Sequence, residues 1–213
     1  MMCFSATSSF AAAGMLAGIG VLSLIHVRKK EQYLMAGIPF GFALQQLTEG
    51  FIWQQYGLKS STYMQIMMYI FLLFAFVIWP MWIPAAVFAS EHNKRRRKLL
   101  FYNVLWGMLV AVYGAYILIT YPITVQITNH SIEYVFGHKI STEYVWIVYL
   151  FDYVLATILP FFISSKKIHK VFGGLLAGSL VLTYFVWTVT LVSVWCFFVA
   201  LLSMLIFIDV YKK

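Results

Sequence analysis

The sequence predicts an all-α protein, a polytopic bundle of seven membrane-spanning helices with its amino terminus outside and its carboxyl terminus in the cytoplasm. Three observations predict it. Of 213 residues, 62% are hydrophobic and only 10% charged, with a mean hydropathy of +0.85; soluble domains carry about 25% charged residues. The apolar residues gather into runs near the roughly 20 that a helix needs to cross a bilayer. Basic residues come in short clusters between those runs, as cytoplasmic loops do. The net charge of +8 therefore reads as a topology signal in contact with anionic headgroups, so the expected partner is the lipid bilayer and not nucleic acid.

Residues 1–213 read as one seven-helix domain. The first span runs from about Ser8 to Ile25 and ends at His26-Val27-Arg28-Lys29-Lys30. Its positive charges follow it, which marks a retained span rather than a cleaved signal peptide. The second covers about Tyr33 to Tyr56. The third, about Tyr63 to Ala89, contains Pro80 and Pro84, and each proline should bend it by removing a donor and crowding the preceding turn. The basic loop Lys94–Lys98 leads into a fourth span ending near Ile119.

Residues 120–143 are more polar and read as an extracytoplasmic loop or hairpin. Ile123, Val125 and Ile127 alternate with polar neighbours, and Asn129-His130-Ser131 offers a turn. The fifth span is about Tyr144 to Ile163. From Val171 to Asp209 the chain is nearly all apolar, and as one helix it would be about 58 Å long. That exceeds a core of roughly 30 Å, so the run must fold back, most simply near Thr188-Val189-Thr190.

Orientation follows from the 15 basic residues. Only Lys59 and Lys139 fall on the side opposite the rest, so the majority side is cytoplasmic. Close helix packing is expected at Gly14-xxx-Gly18, Gly37-xxx-Gly41 and Gly174-xxx-Gly178, and more loosely at Gly107-xxx-Ala111, since small residues let backbones approach in lipid.

The second span breaks the apolar rule. Phe42, Gln45, Gln46, Glu49 and Trp53 share one side of the helix. A carboxylate at that depth, about 11 Å below the outer surface, costs roughly 2.5–3.5 kcal/mol on insertion scales and must face protein or water. Asp152 and Cys196 fall at similar depth in the outer half, and Cys3 precedes the first span on that side. Ser193, Cys196, Ala200 and Ser203 form a small, weakly polar face on the last span. The candidate ligand-binding set is Gln45, Gln46, Glu49, Asp152, Ser193 and Cys196. Cys3 and Cys196 are a possible disulfide on the oxidising side, or buried free thiols. No His/Cys spacing defines a metal site, no His-xxx-His pair marks a zinc hydrolase, and neither a cofactor nor a catalytic residue can be assigned.

Met2-Cys3-Phe4-Ser5, Gln45-Gln46-x-x-Glu49-Gly50-x-x-Trp53 and Ser193-Val194-Trp195-Cys196-Phe197-Phe198 together resemble a family of uncharacterised bacterial multi-pass membrane proteins, a domain of unknown function. The resemblance covers the whole chain and implies residence in the bacterial cytoplasmic (inner) membrane, but no activity. One reading is a site that binds or transports a cation, proton or small polar solute. The alternatives are an intramembrane enzyme acting on a lipid or thiol through Cys196 or Cys3 with Glu49, and a structural or assembly subunit without a ligand.

Overall fold

The computed structural model describes residues 5–56, 62–137 and 143–211. Helix α1 (Ala6–Ile25) opens with a capping box in which the Ser5 side chain accepts from the Ser8 amide and the Ser8 side chain accepts from the Ser5 amide, satisfying two orphan donors of the first turn. It packs along α3 (Ile38–Gln55), where Gly50 admits the Phe10 ring and Gly20 admits Phe40. A short helix, α2 (Tyr33–Ala36), precedes α3. The span expected over Tyr33–Tyr56 is thus stepped at Gly37, just where Pro39 withholds the amide that would bond the Met35 carbonyl.

Among the described residues, six segments are long and apolar enough to cross a membrane: Ala6–Ile25, Thr62–Ala89, Lys94–Thr120, Trp146–Ile163, Lys167–Val186 and Leu191–Tyr211. The architecture is that of an all-α, multi-pass membrane protein. The helix α3 is not among the six, because Gln45, Gln46, Thr48 and Glu49 dilute its apolar content; its polar side is buried, while Phe40, Leu44 and Leu47 on another side are exposed.

Thr62–Ala89 is one continuous helix in three parts: α4 (Thr62–Leu73), a π-helical turn (Phe74–Ile78) and α5 (Trp79–Ala89). The wide turn lies directly before Pro80, a common response to a missing backbone bond. Pro80 leaves the Phe76 carbonyl without its i+4 donor, and the Tyr149 hydroxyl donates to that oxygen at 3.4 Å. Pro84 does the same to the Pro80 carbonyl. Both freed oxygens face α6 (Lys94–Thr120) at its glycines: Phe76 O abuts Gly114 and Pro80 O abuts Gly107.

This corrects the expected glycine contacts. Gly37 and Gly41 do meet a neighbour, the rings of Trp82 and Trp79, but Gly14, Gly18, Gly174 and Gly178 face open space. The close approach on α6 extends from Gly107 to Gly114, with Ala111 buried between them. Spacing of four makes a smooth stripe on a helix, and the direction of that stripe is set by the rest of the bundle.

Strands β1 (Ile123–Thr128) and β2 (Ser131–Phe136) form an antiparallel hairpin, closed by Asn129 and His130 at φ 50° and 58°. Positive φ at both central residues is the I′ turn, whose twist matches the strands. The register pairs Ile123 with Phe136, Val125 with Tyr134 and Ile127 with Ile132, so all the apolar alternation falls on one face. That face is turned into the bundle. Tyr134 stacks on Phe71 with centroids 5.1 Å apart, and Phe136 lies against Phe76 at 5.6 Å.

Helices α7 (Glu143–Thr157) and α8 (Leu159–Ile163) bend at Ile158, two residues before Pro160. Helix α9 (Lys167–Val186) ends just before the expected fold-back, and α10 (Leu191–Ser203) and α11 (Leu205–Tyr211) complete the chain.

The end of the bundle opposite the hairpin is held by a polar knot. Glu91 accepts from the Ser165 amide at 2.6 Å, the Ser165 hydroxyl at 2.9 Å and the Asn93 amide at 2.9 Å. Burial pushes the Glu91 carboxyl up, but these hydrogen bonds outweigh it and hold the group below its ordinary value of 4.5. Arg96 donates to the carbonyls of Ile163 and Ser164 at 2.8 Å. Lys166 pairs with Asp209 at 3.0 Å, and His169 lies between Ser164 and Asp209. None of these pairings was expected from the sequence, where His169 and Lys166 read only as members of basic clusters.

Candidate functional site

The polar side of α3 faces the interior. Gln45 and Gln46 are fully buried and Glu49 is 2% exposed. Gln45 is held at both ends of its amide. Its Oε1 accepts from the Trp79 indole at 2.8 Å, while Nε2 donates to the Phe71 carbonyl at 3.3 Å and toward Cys196 Sγ at 3.5 Å. Trp79 is itself fixed by stacking on Phe42, with centroids 3.9 Å apart. The amide orientation is therefore determined, since the indole can only donate and the carbonyl can only accept.

Glu49 receives two hydrogen bonds, one per oxygen. Ser193 Oγ donates to Oε1 at 2.5 Å and Gln46 Nε2 donates to Oε2 at 3.1 Å. The first of these joins α3 to α10. Two buried polar atoms have no hydrogen-bond partner among the described residues: Gln46 Oε1, on the amide that donates to Glu49, and the Tyr134 hydroxyl. Tyr134 lies within electrostatic range of both Glu49 and Cys196. Buried polar atoms are nearly always satisfied, and Ser23, Asn103 and Ser131 each leave one such oxygen elsewhere among the described residues. Glu49, Ser193 and Gln46 bring their oxygens together here, the donor type that hard cations take.

Cavities lie at the hairpin end, and Glu49, Gln46 and Ser193 are not among the residues that line them. A cavity of about 380 Å³ lies between Ile132–Phe136, Trp146 and the loop and first turn of α10, residues 188–192. A second of about 30 Å³ shares Trp146, Leu191 and Val192 with it and reaches Cys196. A third of about 10 Å³ continues past Cys196 and Tyr153 to Thr157. The series narrows inward from a vestibule to spaces of about one water or less.

Of the residues singled out from the sequence, Gln45, Gln46, Glu49, Ser193 and Cys196 are brought together. Asp152 is not. It is half-buried on α7, the inward positions of that helix being taken by Tyr149 and Tyr153, and it makes no hydrogen bond with the Glu49 group. Cys196 is buried, with no disulfide partner among the described residues, and Cys3, with its expected bridge, lies outside them. Tyr134 and Trp79 are additions. Tyr134 was legible in the alternation of Ile132, Tyr134 and Phe136, which puts the tyrosine on the apolar face of the hairpin; nothing in the sequence paired Trp79 with Gln45.

A helical bundle with a carboxylate and two amides sealed at its centre, beneath a β-hairpin, defines the class: a polytopic membrane protein with an internal polar site. The chain belongs to a family of unknown function (DUF6629), whose model matches residues 2–213. Comparison with curated proteins finds no match, and neither does comparison with solved structures.

Proposed function

We propose that the protein binds, and passes across or into the bacterial cytoplasmic membrane, a proton or a small hard cation at Glu49, with its amino terminus and hairpin outside. The observation that carries this reading is the buried carboxylate bonded to Gln46, whose own amide oxygen is unsatisfied, with no basic side chain among its hydrogen-bond partners in the described residues. A lone buried carboxylate is costly unless neutralised. Proton or cation is therefore the occupant this pocket favours, with Gln46 Oε1, Ser193 Oγ and the Tyr134 hydroxyl completing the shell. The vestibule under the hairpin reaches Tyr134, one of the proposed ligands. The single-sided distribution of lysine and arginine supports that orientation.

Thiol chemistry at Cys196 has less support. A reactive cysteine needs a cation or base to favour its thiolate, and the one side-chain hydrogen bond to Cys196 comes from a neutral amide. The cavities beside it hold about 30 and 10 Å³, too little for a lipid substrate.

The test is ion uptake by proteoliposomes, read with a pH-sensitive dye and with Na⁺ and K⁺ indicators, together with the thermal midpoint in each ion. Wild type should respond to one of these ions and Glu49→Gln should not. Equal behaviour of the two proteins, or no response of wild type to any ion, overturns the reading.

A further inference from the structure

The basic end of the bundle, away from Glu49, holds a cavity of about 290 Å³ walled by Arg28, Lys29, Gln32, Ser90, His92 and Lys166. Three cations line it against a single carboxylate, Glu31. The wall is built rather than a chance gathering of surface lysines. Gln32 is 9% exposed, and its Oε1 accepts the backbone amides of Arg28 and Lys29 at 3.2 and 3.1 Å. That arrangement pins both cationic residues to one turn and commits the oxygen of Gln32, leaving its Nε2 as a donor on the same wall. Lys166 enters from the α8–α9 loop and is held in place by Asp209 at 3.0 Å. Ser90 is anchored from α5 by donating to the Glu31 carbonyl at 3.4 Å.

We infer that this cavity is a phosphate-binding site, formed where the ends of α1, α5 and α9 meet. Arginine and lysine with neutral N–H donors are the groups that phosphate oxygens take. The volume suits one phosphate group with its first substituents. In the orientation proposed above, the cavity opens at the cytoplasmic headgroup level, where anionic phospholipid is the abundant source of that group; a free phosphorylated solute carries the same chemistry. The site is independent of the Glu49 proposal, and its failure would leave that proposal standing.

The experiment uses the purified full-length chain. Native mass spectrometry counts retained phosphatidylglycerol against phosphatidylcholine, and thermal midpoints are read with and without inorganic phosphate. Wild type should retain phosphatidylglycerol selectively, and inorganic phosphate should compete for it. In Arg28→Gln/Lys29→Gln retention should fall by roughly tenfold. Lys94→Gln/Lys98→Gln, which removes the same charge from exposed positions outside the cavity, should leave it unchanged. Phosphate binding without lipid retention assigns the site to a free solute. Failure of wild type to bind either, or equal losses in the two double variants, overturns the inference.

Discussion

Ser193 on α10 donates to Glu49 on α3 across 144 residues of sequence, at 2.5 Å and out of reach of solvent. This one bond makes the acid of the second long helix part of the last. It also makes the polar site depend on two elements that meet only when the bundle is complete.

Ser193→Ala should therefore cost stability by stranding one carboxylate oxygen, about 1–2 kcal/mol against the modest net value of hydrogen bonds within membranes. In a double-mutant cycle with Glu49→Gln, measured by denaturant unfolding in detergent, the coupling should be about 1 kcal/mol. A cycle that closes with no coupling would show that the two side chains act separately.

The glycines of α6 should be far less tolerant than those facing outward. A Cβ at Gly107 or Gly114 meets the Pro80 or Phe76 carbonyl, and such overpacking costs about 1–3 kcal/mol. At Gly14, Gly18 and Gly174 an alanine meets nothing within 4 Å and should stay within about 0.5 kcal/mol of wild type. Thermal midpoints of the five alanine variants, in one detergent, decide it.

Tyr134 separates packing from chemistry. Tyr134→Ala loses the stack on Phe71 and should destabilise by about 3 kcal/mol or more. Tyr134→Phe keeps the ring and deletes a hydroxyl that has no hydrogen-bond partner among the described residues, so stability should hold or rise slightly. If the hydroxyl is a ligand, the ion-dependent shift of the midpoint should shrink in Tyr134→Phe. An undiminished shift removes it from the binding shell.

Glu91 gives a pH dependence with a defined sign. Its folded pKa is held below the ordinary 4.5, so the unfolded chain binds the proton more readily. The stabilisation is complete above about pH 4.5 and is lost as pH falls from there through the folded value. Unfolding midpoints of wild type should decline over that acid range. Glu91→Gln should start lower and decline less steeply, since the amide cannot titrate.

Much of the frame was legible in the residues. The alternation at Ile123, Val125 and Ile127 with Asn129-His130 anticipated the hairpin, because period-two patterning and a positive-φ turn are both local properties. The surplus length of Val171–Asp209 placed the fold-back, which the structure has between Val186 and Leu191. The distortion near Pro80 was expected for the same local reason, although its form, a π-helical turn, was not. Asp152 shows the limit: depth along a helix follows from counting residues, but rotation about the helix axis does not, and the inward positions went to Tyr149 and Tyr153.

By itself the sequence determined that this chain forms apolar helices, how many residues each has for crossing a bilayer, which ends carry positive charge, and that Gln45, Gln46 and Glu49 lie on one side of α3. Those properties depend on neighbours in the chain and on the cost of moving charge into hydrocarbon. Tertiary structure alone decided that Ser193 answers Glu49, that Trp79 locks Gln45, that Tyr134 descends from the hairpin, and which glycines touch another backbone. Each of these depends on the rotation and approach of helices distant in the sequence, and that is settled by packing the whole bundle at once.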